Sequence, residues 1–201
     1  MKSTAFRAYV LGCTFSLAAC SGNGNVPRAG GASAVAAGFR ATAAFTLSSA
    51  TFKNGKMVPS SMVYKGNGCK GGDMSPELRW SGAPRKTKSF AILALDTTAI
   101  FWHWGMYDIA TTATSLPQNA GTPSSKYGKA VFNDWAIYFG KKNRGYGGPC
   151  PPPGLTHRYV FTLYALDTTL RLPRRAHAEN LDLAIRGHIL GSAAITGLYK
   201  T

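Results

Sequence analysis

Two tracts of the chain concentrate the side chains that can exchange protons or hold an anion. In the first, Asp96 ends an apolar run and Phe101-Trp102-His103-Trp104 follows after a short connection. The second runs Gly145-Tyr146-Gly147-Gly148-Pro149-Cys150-Pro151-Pro152-Pro153-Gly154-Leu155-Thr156-His157-Arg158-Tyr159. Consecutive prolines fix φ and lack amide donors, so this segment is stiff, and its glycines leave backbone N–H groups open to a ligand. Side chains alternate along a strand, so His157 and Tyr159 share one face and Arg158 takes the other. The expected division of labour puts His157 and Tyr159 in a pocket and Arg158 in a buried structural hydrogen-bond network. Histidine and tyrosine both donate to phosphate oxygens, and glycine amides of the loop would add an anion nest. A carboxylate at Asp96 beside a histidine would fix its tautomer and raise its basicity. The chemistry is anion binding by assembled donors.

Other chemistries draw on the same residue types. Two imidazoles and a carboxylate can hold zinc, but His103, His157 and Asp96 lack the short ligand spacing of a zinc motif, and no metal or cofactor is expected. Serine hydrolysis would need a nucleophile elbow, and no G-x-S-x-G occurs; Ser75-Pro76 lies in a stretch that reads as structural. The expectation is a binding protein rather than an enzyme. The alternative is inhibition of a kinase or protease through protein contact, and a hydrolase is less favoured still.

The elements that must position these residues are mostly strands. Thr46 to Phe52, Met62 to Lys65 and Leu78 to Trp80 are brief candidates. Ser89 to Asp96 is a nearly continuous apolar run of strand length, which predicts a central strand buried on both faces. His103 to Ile109 follows as its antiparallel neighbour. Arg158 to Asp167 carries the clearest alternation, with the face of Val160, Thr162 and Tyr164 the more polar. Long Gly- and Pro-rich connections, Pro117 to Lys129 and Lys141 to Thr156, separate the strands and read as functional loops. One helix is supported, where Leu181, Ile185, His188 or Ile189, and Ser192 recur at helical spacing behind Glu179 and Asp182. It puts His188 on an apolar packing face, and Ile195 to Tyr199 closes the chain as a strand. The fold class is mainly β, an antiparallel sandwich with few short helices and one C-terminal helix.

The start of the chain reads differently. Lys2 and Arg7 precede an apolar run from Ala8 to Ala19, too short to span a bilayer. Leu17-Ala18-Ala19-Cys20 resembles the lipobox of bacterial lipoproteins, which makes residues 1–19 a signal peptide and Cys20 the lipidated first residue of the mature chain. Residues 20–44 follow as a Gly-, Ala- and Ser-rich linker, and 45–201 form the folded domain. The expected location is the cell envelope, facing the periplasm on a membrane anchor, and Ser21 favours the outer membrane over the inner. Export leaves Cys69 and Cys150 as an even pair in an oxidising compartment, which predicts a disulfide. The chain carries a formal charge of +15, so it attracts anions. Its basic residues are scattered with no arm or recognition helix to collect them, and nucleic acid is not an expected partner.

Taken together, GNGCKGGDMSPELRW (66–80), KSFAILALD (88–96), WHW (102–104), GYGGPCPPPG (145–154), HRYVFTLYAL (157–166) and GHIL (187–190) resemble the phosphatidylethanolamine-binding protein family. The likeness is greatest to its bacterial YbhB/YbcL branch, often labelled Raf kinase inhibitor-like, and runs from about Ala50 to Tyr199 in matching order. It implies two antiparallel sheets, a C-terminal helix, and a pocket for phosphate or phospholipid headgroups. The family's pocket residues carry over onto Asp96, His103, Gly148, Pro151, His157 and Tyr159, with Trp102 and Trp104 beside them. Where the family usually has Asp-Pro-Asp-x-Pro, this chain has Asp96-Thr97-Thr98-Ala99-Ile100, which removes both prolines and the second aspartate that would pair with Arg158. Trp135 to Arg144 is a further departure, rich in aromatic and basic residues beside the pocket loop.

Overall fold

A computed structural model of the protein describes residues 44–139 and 144–201. The expected signal peptide, Cys20 and nearly all of the linker lie outside the described residues. In chain order the strands are β1 (Thr46–Ser48), β2 (Lys56–Met57), β3 (Lys65–Gly66), β4 (Cys69–Lys70), β5 (Leu78–Ser81), β6 (Ser89–Asp96), β7 (Phe101–Ile109), β8 (Ser115–Leu116), β9 (Lys129–Ala130), β10 (His157–Leu166) and β11 (Ile189–Tyr199). Two α-helices accompany them, α1 (Trp135–Phe139) and α2 (Ala178–Ile185).

The main sheet has the order β2-β11-β10-β6-β7-β9, and β1-β5-β8 form a second. Neighbours pair antiparallel except β2 with β11. The mainly-β class holds. β6 lies in the middle of the main sheet because both its faces are apolar. Phe90, Ile92 and Ala94 enter a core shared with Leu78 and Trp80 of β5, Leu116 of β8 and Phe161 and Leu163 of β10. Ala91 and Leu93 enter a second core with Ala178, Leu181 and Ile185 of α2. Helix and second sheet thus cover opposite faces of one sheet, each burying the apolar stripe the other cannot reach.

Three sequence expectations need correction. Met62 to Lys65 is no strand, since Ser60–Met62 is a 3-10 turn and only Lys65–Gly66 pairs, with β4. Thr46 to Phe52 shortens to β1. The late helix stops at Ile185, because Gly187 adopts φ 85° and turns the chain into β11. Ile189 and Ser192 are therefore strand residues paired with β10. His188 lies in the turn, half exposed, its Nδ1 2.9 Å from Asp167 Oδ1, and does not pack on an apolar helix face.

Cys69 and Cys150 form the expected disulfide. It fastens the β3–β4 hairpin, whose Asn67-Gly68 tip has positive φ at both residues, as a two-residue hairpin turn requires. It closes a sequence separation of 81 residues, worth about 4 kcal/mol in the chain-entropy model. The double variant Cys69→Ser, Cys150→Ser is expected to lower the unfolding free energy in urea by about 3 to 4 kcal/mol. A loss under about 1 kcal/mol would show that the bridge does not constrain the chain.

Candidate functional site: a histidine-lined cleft

The site is built where β6 ends, β7 begins and β10 begins. Asp96 stands opposite Tyr159 in the β6–β10 register, and His157 precedes Tyr159 by two residues on the same face. Asp96 is 2% exposed and its oxygens are shared out. Oδ2 accepts a hydrogen bond from His157 Nδ1 at 2.6 Å, while Oδ1 accepts the amides of Thr98 at 2.9 Å and Ala99 at 3.3 Å. The turn therefore closes without the family's prolines, by a carboxylate gripping the next two free amides. Ile100, a β-branched residue, sits at φ 54° to complete it.

Arg158 differs from expectation. Its side chain is exposed, because it leaves β10 on the face opposite the cleft, and its structural contribution comes from its backbone. Its carbonyl accepts the Thr97 amide at 2.9 Å, and its own N–H donates to Thr98 Oγ1 at 3.1 Å. Two threonines thus bridge to the strand where a second aspartate was missed.

His103 reaches the same cleft through an irregularity in β7. Ala94 pairs with Trp104 but Leu95 pairs with Trp102, so His103 has no partner on β6. This β-bulge puts consecutive side chains on one face, as bulges beside binding sites do. His103 packs against the Tyr159 ring and Trp104 enters the core between the sheets. Trp102 is displaced to the other face, where it packs against the α2-side core. Trp102, expected in the pocket, does not line it; its flank is taken by Phe101. Its backbone nevertheless positions α1, since its N–H donates to Asp134 Oδ2 at 2.8 Å and its carbonyl accepts the Asp134 amide at 2.9 Å.

The glycine–proline loop is a preorganised wall, but the amides from Gly145 to Gly148 are taken by the protein itself. The Gly147 N–H donates to the His103 carbonyl at 2.8 Å, and His103 Nδ1 returns a bond to the Gly147 carbonyl at 2.7 Å. Gly148 N–H donates to Asp73 Oδ1 at 2.7 Å, and its carbonyl accepts Trp135 Nε1 at 3.2 Å. Gly148 is outside the cleft lining, and a Cβ there would collide with the Met62 carbonyl and the Tyr64 amide. The amides of Gly147 and Gly148 are therefore not open to an anion, because the protein uses these donors itself to fix the loop. Asp73, the unforeseen anchor, has its carboxyl pushed up by burial against the pull of the Gly148 amide. Pro151 is buried and lines the cleft, and its carbonyl is held by Thr201 Oγ1 at 2.7 Å.

These parts enclose a cleft of about 640 Å³. Asp96, His103, His157 and Tyr159 form its polar end. Phe101 with Trp135, Tyr138 and Phe139 of α1 forms an aromatic wall. Prolines 151–153 and the disulfide make up another side. Helix α1 belongs to the aromatic-rich stretch, but five residues show no helical period, and no sequence signal marks it as a cover for the cleft. Trp135 anchors it, stacked on Tyr64 at 4.3 Å between centroids. Among the described residues, no lysine or arginine lines the cleft and no cluster of His, Cys, Asp or Glu could hold a metal ion.

Electrostatics follows from burial. His103, 4% exposed, has its proton affinity lowered to a pKa of about 4, mainly by desolvation and against the Gly147 bond. Burial, then the neighbouring Asp96 carboxylate, raise the Tyr159 phenol far above its ordinary range, so it stays an O–H.

Residues 48–200 match the family model described as phosphatidylethanolamine-binding protein. The chain belongs to that family. Within it, the chain is 34% identical to the UPF0098 protein YbcL of Escherichia coli strain K12 over 165 residues, covering 79% of this chain and 88% of YbcL. It is 40% identical over 158 residues to a UPF0098 protein of Aquifex aeolicus, covering 76% of this chain and 86% of that one. The crystal structure of E. coli YbcL, titled a new member of the mammalian PEBP family, aligns with a TM-score of 0.71 at 33% identity over 78% of this chain and 98% of YbcL.

Because His103 is buried neutral, an unfolded chain binds more protons than the folded one between about pH 6.5 and about pH 4. Its contribution to stability is intact above that window and lost as pH falls through it. Urea unfolding is expected to show a smaller loss between about pH 7 and about pH 5 for His103→Gln than for the parent protein. Equal losses would show that His103 is not the group held neutral.

Proposed function

We propose that the cleft binds a small oxyanion, phosphate or a phosphorylated headgroup, without turnover, and that binding places a proton on His157 Nε2. One observation carries this: both imidazoles have Nδ1 committed to the wall, His157 to a carboxylate and His103 to a carbonyl. Those partners only accept, so Nδ1 carries the proton in each ring, and in His157 Nε2 is the nitrogen left for a ligand. In a neutral ring that nitrogen is an acceptor, and an anion needs a donor. Among the described residues no lysine or arginine lines the cleft and the Tyr159 O–H is turned to Asp96, so His157 supplies the donor by taking up a proton, its new charge balanced by Asp96. Membership in a family named for phosphatidylethanolamine binding supports the choice of anion. The +15 chain draws anions towards the molecule, and the cleft sorts them at short range.

The same proposal places the domain in the bacterial cell envelope. The apolar run ending at Cys20 supports lipid anchoring, the disulfide suits an oxidising compartment, and Ser21 favours the outer membrane. Radiolabelled palmitate should enter the wild-type chain and not Cys20→Ser.

The deciding experiment is phosphate calorimetry in buffers of low and high ionisation enthalpy. Binding heats are expected to differ between buffers as proton uptake requires, and His157→Ala is expected to weaken phosphate by roughly 2 kcal/mol, the worth of a charge-assisted hydrogen bond. Buffer-independent heats, or an unchanged His157→Ala, would remove the assignment.

A further inference from the structure

We infer that the end of the molecule opposite the cleft is a docking surface for an anionic lipid bilayer, with Arg85, Lys86, Lys88 and Arg171 as its cations and Ile189 and Leu190 as its apolar contacts. The inference takes the presence of a membrane from the envelope reading proposed above and is independent of the anion site.

The strands of the main sheet set the two ends. The cleft lies where β6 ends and β10 begins. The start of β6 instead meets the end of β10, Ser89 pairing with Leu166, and the end of β7, Phe90 pairing with Ile109. At about 3.3 Å per residue, the eight residues of β6 hold these ends roughly 25 Å apart. β11 begins at the far end, where Ile189 pairs with Leu166. The folded domain begins there too. The Phe45 ring lies 6.2 Å from that of Phe90, and a Cβ at Gly191 would meet both Phe45 and Pro84. The expected linker from Cys20 therefore joins the domain at the far end, and a lipid anchor on that linker brings this end, not the cleft, to a bilayer.

What surrounds that junction suits a lipid surface. Arg85, Lys86 and Lys88 are exposed on the connection from β5 to β6, and the Lys88 amide donates to the Leu166 carbonyl at 2.7 Å. Arg171 is exposed and close enough to Lys129 for their charges to repel. The acids nearest this end are engaged, Asp108 with Lys129, Asp182 with Arg186 and Asp167 with His188. Among the described residues the four cations have no ion-pair partner. Beside them Ile189 and Leu190 are 43% and 36% exposed. Free cations alone would fit any polyanion, but apolar side chains among them fit a surface with hydrocarbon beneath its phosphates. Each lysine or arginine held at an anionic lipid surface is worth about fivefold in affinity. Docked this way, the protein keeps the mouth of its cleft open to the aqueous phase.

The test is co-sedimentation of the chain from residue 20 onward, carrying Cys20→Ser and so no acyl group, with vesicles of phosphatidylcholine alone or mixed with phosphatidylglycerol. Binding to the anionic vesicles is expected to be about a hundredfold or more tighter than to the neutral ones. The variant Arg85→Gln, Lys86→Gln, Lys88→Gln, Arg171→Gln should lose about a hundredfold of that affinity. A second variant, Lys53→Gln, Lys56→Gln, Lys65→Gln, Lys70→Gln, removes the same charge from exposed residues nearer the cleft. It should lose under about threefold at physiological salt, which screens charges that far from the surface. Ile189→Ser, Leu190→Ser should lose about tenfold. Equal losses in the two charge variants would show attraction by net charge alone and overturn the docking surface. Full competition by polyphosphate, together with unchanged binding of Ile189→Ser, Leu190→Ser, would make this end a polyanion site and overturn the lipid partner. No binding to the anionic vesicles would overturn the inference whatever the palmitate labelling shows. Absence of that labelling with vesicle binding intact would remove the anchor and leave the docking surface standing.

Discussion

The hydrogen bond from His157 Nδ1 to the Asp96 carboxylate is the constraint on which the site depends. It joins the last residue of β6 to the first of β10, two residues before Tyr159, which the register sets opposite Asp96, and it spends one carboxylate oxygen on orienting a ring. The other oxygen caps the turn to β7. One buried carboxylate thereby closes a loop, fixes a tautomer and offers a counter-charge. Replacing it with an amide would leave these amides and the ring nitrogen competing for a single carbonyl oxygen.

Around this bond the protein uses its own donors to hold the cleft open. The loop from Gly145 to Pro151 is fastened by contacts to Val131, Gly121, His103, Asp73 and Tyr64, by the disulfide, and by Thr201. A wall fixed this fully needs little reordering when a ligand arrives, which favours affinity by lowering the entropic cost of binding. The consequence is chemical as well as mechanical. With the amides of Gly147 and Gly148 spent on the wall, the polar groups that line the cleft are the imidazoles, Tyr159 and Asp96, and the proposed binding becomes sensitive to where protons are.

Much of this was legible in the sequence, and the exceptions have physical reasons. Ser89 to Asp96 reads as a central strand because both faces are apolar, and it is one. The alternation of His157, Arg158 and Tyr159 predicts their faces correctly, and the cysteine pair follows from parity and compartment. The bulge at His103 could not be read, since it exists only in the count of residues against β6, and it decides that Phe101 rather than Trp102 lines the cleft. The fate of the Gly147 and Gly148 amides was equally hidden: glycine announces that a backbone can be approached closely, not whether by ligand or protein. Here Met62, Tyr64 and Asp73 fill that space. Helix α2 was overextended because apolar spacing continued past Gly187, whose φ of 85° ends it. α1 was too short for periodicity to reveal.

The central claim concerns which imidazole takes a proton when the cleft fills, and ¹⁵N NMR of the histidine rings during a phosphate titration addresses it directly. The account predicts that the His157 ring nitrogens move to imidazolium values as phosphate binds while His103 keeps the shifts of a neutral Nδ1–H ring. Protonation of His103, or a His157 ring that stays neutral at saturation, would contradict it.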